Sequence, residues 1–468
     1  RETALPGDVS LTLNMTRYKA CHSEPLAKND TCIAIRTPIF GYALPLKRES
    51  ILPEGRHNDD FIIKRKNNGE IKMKLSKKAT GVRPSATLEI TAKAKRLKSE
   101  GKKIIAFTAG EPDFNTPDFI VNSAITALKQ GFTKYTPSAG IPELRAAIAE
   151  KFRNENGIDC GAENIVVSDG AKSSLYHAVL AIVDEGDEVI VPSPYWVTYT
   201  EQIKLCGGVP VIVPAKKENG YKMTAADFEN AITGKTRALL INSPCNPTGA
   251  VYEKRELVAL AEICEKHGLE IISDEIYENL VFGGKKHYSF AALSDYAREH
   301  TITVNGVSKS YSMTGWRIGY VCAPIETAKA MSALQGHTTS NACTFAQYAS
   351  VTAIKEGGVF INEMRCEFDR RREVLTEALK SVRGITFAVP DGAFYVFADV
   401  SALYGKKFHG EVIDGSQKFA AKLLDFGVAV IPGAAFGDDN SIRLSYTLPA
   451  DEIVKGVAEI KCFVKELV

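Results

Sequence analysis

Apolar and polar positions follow two regimes along this chain. From about Ser85 onward the pattern is tight, and helical periods of three to four residues run through TLEITAKAKRLKSEG, IPELRAAIAEKFRNENG, KRELVALAEICEKHG and EMRCEFDRRREVLTEALKSV. Short β-branched runs alternate with them: NIVVS, DEVIVP, VPVIVP, RALLINS, LEIISDE, TITVNG and IGYVCAP. Buried runs alternating with amphipathic helices predict an α/β fold, a mostly parallel sheet flanked by helices. Near the C-terminus the order changes to ITFAV, FYVFADV, VAVIPG and SIRLSY with helices between, which predicts a smaller α+β domain. Residues 1 to about 78 hold no lasting period and end in KRKNNGEIKMKLSKK. That stretch reads as a disordered leader or a transit peptide. The expected division is therefore 1–78 leader, 79–120 an N-terminal arm belonging partly to the small domain, 121–365 the large domain and 366–468 the small one.

Composition narrows the function classes. With 45% hydrophobic and 24% charged residues and a net charge of +2, the chain has the make-up of an ordinary globular protein. No basic stripe interleaved with aromatics marks the patterned region, so nucleic acid is not an expected partner. No run approaches the roughly 18 apolar residues of a membrane span, so no membrane is expected either. The ten cysteines form neither a CxxC pair nor a Cys/His cluster, which argues against a zinc site or a disulfide scaffold. The leader carries Glu24, Asp30, Glu49, Glu54, Asp59 and Asp60, more acids than organelle addresses usually hold. The expected compartment is the plastid if the leader is a transit peptide, and the cytoplasm otherwise.

The chemistry concentrates in TVNGVSKSYSMTGWRIGY, residues 303–320. A strand ends near Asn305, and Lys309 stands in the turn after it. A lysine crowded by backbone and apolar groups loses part of its ammonium character, and a neutral amine forms Schiff bases; a lysine in a loop is otherwise a solvated charge. Ser308 precedes it and Arg317 follows eight residues on, a hydroxyl and a guanidinium fork suited to a phosphate dianion. Upstream, SDGAKSSLYHAVLAIV opens a helix at Gly170 and Ala171, whose free N–H groups suit an anion. Asp274 in IISDEIYENL falls where a buried strand ends, the place at which open α/β sheets bind ligands. A carboxylate there can keep a ring nitrogen protonated. Tyr277 and Asn246 can each donate to a phenolate oxygen. Singly, Asp274 reads equally as a helix cap, Tyr277 as core and Asn246 as a turn former before Pro247.

Together SKSYSMTGWRIGY, SDEIYE, NPTG, AGEPDF and SIRLSY resemble, in order, the class I aminotransferases of fold type I, over roughly residues 80–468. Within that family the chain looks most like the aspartate and prephenate aminotransferases of bacteria and plant plastids. The resemblance implies pyridoxal 5'-phosphate (PLP) held by Lys309 as a Schiff base, with Asp274 on the pyridine nitrogen and Asn246 and Tyr277 on the 3-hydroxyl. It implies Trp196 stacked on the ring, and Ser308, Arg317 and the backbone at Ala171 and Lys172 around the phosphate. Tyr135 is expected to reach the phosphate of a second subunit, which makes the protein a homodimer with shared sites. Arg443 and the Gly110 backbone would hold the substrate α-carboxylate, and Lys172 with Thr87 the distal one. The implied reaction is ping-pong exchange of an amino group between aspartate or glutamate and a 2-oxo acid: oxaloacetate, 2-oxoglutarate or prephenate, the last giving arogenate. A kynurenine or aromatic aminotransferase, or a lyase or synthase of the same fold, is the alternative. Two departures stand out. Asp169 replaces the family's usual Asn and is expected to point away from the phosphate as a helix cap. Val307 replaces a common Phe, with less volume near the ring.

Overall fold

The computed structural model describes residues 73–82 and 86–468. The leader assigned to residues 1–78 lies outside the described residues as far as residue 72. Its last residues enter a short helix, Lys77–Gly81, where the Ser76 hydroxyl accepts the Ala79 N–H at 3.1 Å. A serine cap of this kind starts a turn that is too brief to register as a hydrophobic period.

All seven apolar runs form one sheet, in the order Ile165–Ser168, Gly319–Cys322, Thr301–Gly306, Glu270–Asp274, Thr236–Asn242, Glu188–Ser193, Val209–Pro214. Gly319–Cys322 runs antiparallel to both neighbours, and every other pairing is parallel. Strands such as Ile165–Ser168 and Thr301–Gly306 are buried along their whole length. Helices cover both faces, so these strands read as continuous apolar runs rather than alternating ones. Parallel pairing needs crossovers, and Ala171–Ile182, Thr198–Leu205 and Lys254–His267 supply them. The register sets Asn242 beside Asp274, and Asp274 beside Val304. Several strand ends thus open onto one edge of the sheet.

A second, antiparallel sheet follows the order Ile431–Pro432, Ser441–Ser445, Tyr395–Asp399, Thr386–Phe387. It packs with the helices Gly358–Lys380 and Ala450–Glu466 in a core containing Phe368, Phe394, Tyr395 and Phe463. Phe107 and Tyr277 join the same core, which ties the small sheet to the strand-end edge of the large one. Three sequence readings need adjustment. ITFAV yields only Thr386–Phe387 as strand. VAVIPG divides, Val428–Ala429 pairing with Ile105–Ala106 and Ile431–Pro432 with Ser441–Ser445. The helix read through IPELRAAIAEKFRNENG is α-helical for Pro142–Lys151 and widens to a π turn at Phe152–Asn156, closing on left-handed Gly157. No helix among the described residues is long and apolar enough to cross a membrane.

Candidate active site at the strand ends

A cavity of about 420 Å³ opens at this edge. Lys309, Asp274, Tyr277, Ala171, Lys172, Trp196, Asn246, Ser308, Arg317, Gly110, Arg443 and Thr87 all line it. Of the residues expected to bind cofactor or substrate only Tyr135 does not, and it is 90% exposed; Gly170, Asp169 and Val307 stand outside the lining.

Asp274 ends its strand 2% exposed. Its carboxylate accepts the Tyr199 hydroxyl at 2.7 Å and the Ile276 N–H at 3.2 Å. Burial raises its pKa to about 6, against the hydrogen bond from Tyr199. Lys309 lies in the short helix Val307–Ser310, directly after the strand Thr301–Gly306. Its ammonium donates to the Gly110 carbonyl at 2.6 Å. Desolvation pulls its pKa down to about 8; Arg317 and Arg443 act in the same direction, and Glu111 and Asp274 oppose. Val307 is fully buried in the apolar cluster that also holds Ile318 and Met313, so the smaller side chain still packs.

The anion cradle depends on two glycines. Gly170 has φ 86°, and a Cβ there would collide with the Arg317 guanidinium. A Cβ on Gly319 would fall on the Ala171 backbone nitrogen. Their absence brings Arg317 against the N-terminus of Ala171–Ile182, whose first turn carries no acid and no side-chain cap. Arg317, itself left-handed at φ 56°, donates to the carbonyls of Thr314 at 2.9 Å and Asp169 at 3.2 Å. Asp169 does not cap this helix. The cap position is Gly170, and the Asp169 side chain is bonded to Thr339 instead.

Arg443 enters from the small sheet, 3% exposed in the strand Ser441–Ser445. Its fork donates to Asn246 Oδ1 and to the Thr108 carbonyl, both at 3.0 Å, and lies 4.4 Å from the Tyr395 ring. Its Nε is buried with no hydrogen-bond partner. Burial lowers its pKa. Asn246 is held in turn, its N–H donating to Asn242 Oδ1 at 2.9 Å, while Asn242 donates to the Asp274 carbonyl at 2.8 Å. Tyr277 shares a 2.9 Å hydrogen bond with Tyr395. Lys172 sits with its ammonium 4.8 Å from the Trp196 ring centre, its pKa lowered by burial and by Arg317.

Sequence reasoning missed Tyr199, Tyr395, Glu111 and Lys95, all in the cavity wall. Tyr395 sits in an unbroken apolar run and carries no signal of its own. Tyr199 stands three residues after Trp196 at a helix start, a spacing that places both on one face and could have flagged it.

A crowded lysine, a buried carboxylate at a strand end, an anion cradle and a second buried arginine therefore share one cavity. The aminotransferase class I and II family profile matches residues 102–460. The chain belongs to that family. The probable aspartate/prephenate aminotransferase of Aquifex aeolicus is 51% identical over 396 residues, 84% of this chain and 99% of that protein. The aspartate aminotransferase of Bacillus subtilis is 46% identical, covering 84% of this chain and all of the relative. The aspartate aminotransferase of Thermus thermophilus solved with maleate superposes with a TM-score of 0.79 at 42% identity, over 84% of this chain and 100% of that one. The aspartate aminotransferase of Rhizobium meliloti reaches 0.82 at 39%, over 85% and 100%. The fold is thus the fold type I α/β architecture, and the chain is an aminotransferase.

Proposed function

We propose that this aminotransferase uses PLP to exchange the amino group of aspartate or glutamate with a 2-oxo acid, oxaloacetate, 2-oxoglutarate or prephenate. The observation that carries the reading is Lys309, an amine with a pKa near 8 placed in one cavity with buried Asp274 and with Arg443, whose Nε has no partner. The residues fit the cofactor: the Gly170 and Gly319 cradle, which any Cβ would fill, leaves an acid-free helix N-terminus and Arg317 for a phosphate. When bound, PLP supplies a protonated ring that takes up the electron pair left at the substrate α-carbon.

The chain's own groups do the rest. Asp274, ionised above about pH 6, would hold the proton on the ring nitrogen, and Tyr199 keeps its carboxylate oriented. Tyr277 and Asn246 would donate to the ring hydroxyl, and Trp196 would cover one ring face. Arg443 would clamp the substrate α-carboxylate as a bidentate fork. Lys309 Nζ would take the proton from the α-carbon and return it one carbon away, work suited to an amine partly neutral near pH 7. Lys172, helped by Thr87, would meet the distal carboxylate; it has no salt-bridge partner among the described residues, as a group reserved for a substrate anion should. Two cations for a dicarboxylate favour amino transfer over elimination, and over aromatic substrates. Tyr135, outside the cavity and exposed, would serve the phosphate of a second copy in a homodimer. A plastid address in the leader belongs to the same reading and is tested by import of a leader–reporter fusion.

The experiment is a half-reaction. Aspartate alone should shift the visible band of the PLP-loaded protein and release about one equivalent of oxaloacetate per site. Adding 2-oxoglutarate or prephenate should restore the band, and the acid that does so fastest is the acceptor. Ammonia in place of a new amino acid would refute amino transfer.

A further inference from the structure

Asp274 and Tyr277 face the cavity from a single turn that no helix continues. The turn has few backbone bonds of its own: Glu275 N–H to the Val304 carbonyl at 2.9 Å, Glu278 N–H to the Glu275 carbonyl at 2.9 Å, and Leu280 N–H to the Tyr277 carbonyl at 2.8 Å. Its opposite face carries two further carboxylates, Glu275 and Glu278, 1% and 8% exposed. Neither lines the cavity.

Both are tightly bound. Glu278 pairs with the Lys151 ammonium and accepts Asn156 Nδ2 at 2.6 Å. Lys151 also donates to Asn156 Oδ1 at 2.6 Å. Asn156 Nδ2 donates as well to the Ser289 hydroxyl at 2.7 Å, which itself donates to Glu275 at 2.6 Å. His287 Nε2 lies 3.0 Å from the same Glu275 oxygen. Ligand atoms of Glu275, Glu278 and His287 fall within 4.8 Å of one another, the spacing of a metal site. The Lys151 ammonium already meets the Glu278 carboxylate, so the cation there is the lysine. Lys151 and Asn156 bracket the π turn, so one end of this network is the widened helix end and the other is the turn that presents Asp274 and Tyr277.

Burying carboxylates is unfavourable unless each is fully bonded, and apolar residues of similar volume would fill this space at no such cost. A charged network here gains directional hold on the turn rather than stability. We infer that the Lys151–Glu278–Asn156–Ser289–Glu275 network is a positioning device that sets where Asp274 and Tyr277 stand in the cavity. Asn279, the next residue of the turn, extends the hold by donating to the Ser310 hydroxyl at 3.0 Å, beside Lys309. Misplacement of a working group by about 1 Å costs on the order of 100-fold in rate.

This inference rests on the function proposed above, and its test separates the two. The double variant Lys151→Met with Glu278→Leu replaces the pair by apolar groups and is expected to melt at or above the parent's temperature. Its kcat should fall roughly 10- to 100-fold with KM for aspartate within about threefold. Its affinity for added PLP, read by absorbance on the cofactor-free protein, should weaken about tenfold. Ser289→Ala removes only the hydroxyl joining the two halves; it should stay folded, with a somewhat lower melting temperature, and lose about 3- to 10-fold in kcat. It decides the matter alone if the double variant does not fold. Parent-like kcat and PLP affinity in a folded variant would overturn the inference and leave the network as packing. A parent protein that moves no amino group would instead refute the proposed function, while the affinity comparison would still read the positioning.

Discussion

Lys151 is buried and Lys309 half-buried with its amine desolvated, and their surroundings differ in counter-charge. Lys151 meets the Glu278 carboxylate and the Asn156 amide oxygen, with Glu155 a further 3.7 Å neighbour. Lys309 has one neutral acceptor, the Gly110 carbonyl, and two arginines act on it against Glu111 and Asp274. Its pKa falls to about 8. At pH 7 roughly a tenth of Lys309 is then a free amine, against about one in three thousand for an ordinary lysine. Burial alone makes neither residue reactive. The withheld partner does: the buried Glu278 carboxylate meets Lys151, and no carboxylate among the described residues is bonded to Lys309.

That contrast can be broken from either side. The largest effect belongs to Lys309→Ala, which should reduce amino transfer by at least roughly 10⁴-fold in steady-state assays while the protein still folds. Lys151→Met should spare the chemistry's components but strand Glu278 in the interior, lowering unfolding free energy by about 3–5 kcal/mol in a urea titration. Asp274→Asn keeps the shape of the strand end and removes its charge; a kcat loss of about 10²- to 10³-fold is expected, with PLP still bound. A near-normal rate in that variant would remove Asp274 from the mechanism. The smallest change is Glu111→Gln. Glu111 raises the Lys309 pKa, so its neutralisation should move the lysine's titration midpoint below 8, measured as amine reactivity against pH.

The sequence disclosed one half of this contrast and hid the other. Lys309, Ser308 and Arg317 fall within nine residues of one another, and Asp274 sits at the end of a readable apolar run; local spacing carries them. Lys151 looks like the polar edge of an amphipathic helix, and its partner Glu278 lies 127 residues away. Tyr199 reaches Asp274 across 75 residues and Tyr395 reaches Tyr277 across 118, contacts set by sheet order rather than by period. Most strands of the large sheet were legible because they are continuous buried runs, and the largely exposed edge strand Val209–Pro214 was legible by its run of β-branched residues. VAVIPG was not, since one short run serves two sheets and nothing in its pattern says which residue turns where. Asp169 was misread as a cap because composition at a helix start favours it, whereas the close approach of Arg317 puts Gly170 there.

The most direct test is competitive labelling of amines in the PLP-free protein across pH, read peptide by peptide by mass spectrometry. Lys309 is predicted to react with a midpoint near pH 8, with Lys151 unlabelled as long as the protein is folded. A Lys309 midpoint near the ordinary 10.5, or labelling of both lysines alike, would contradict the account.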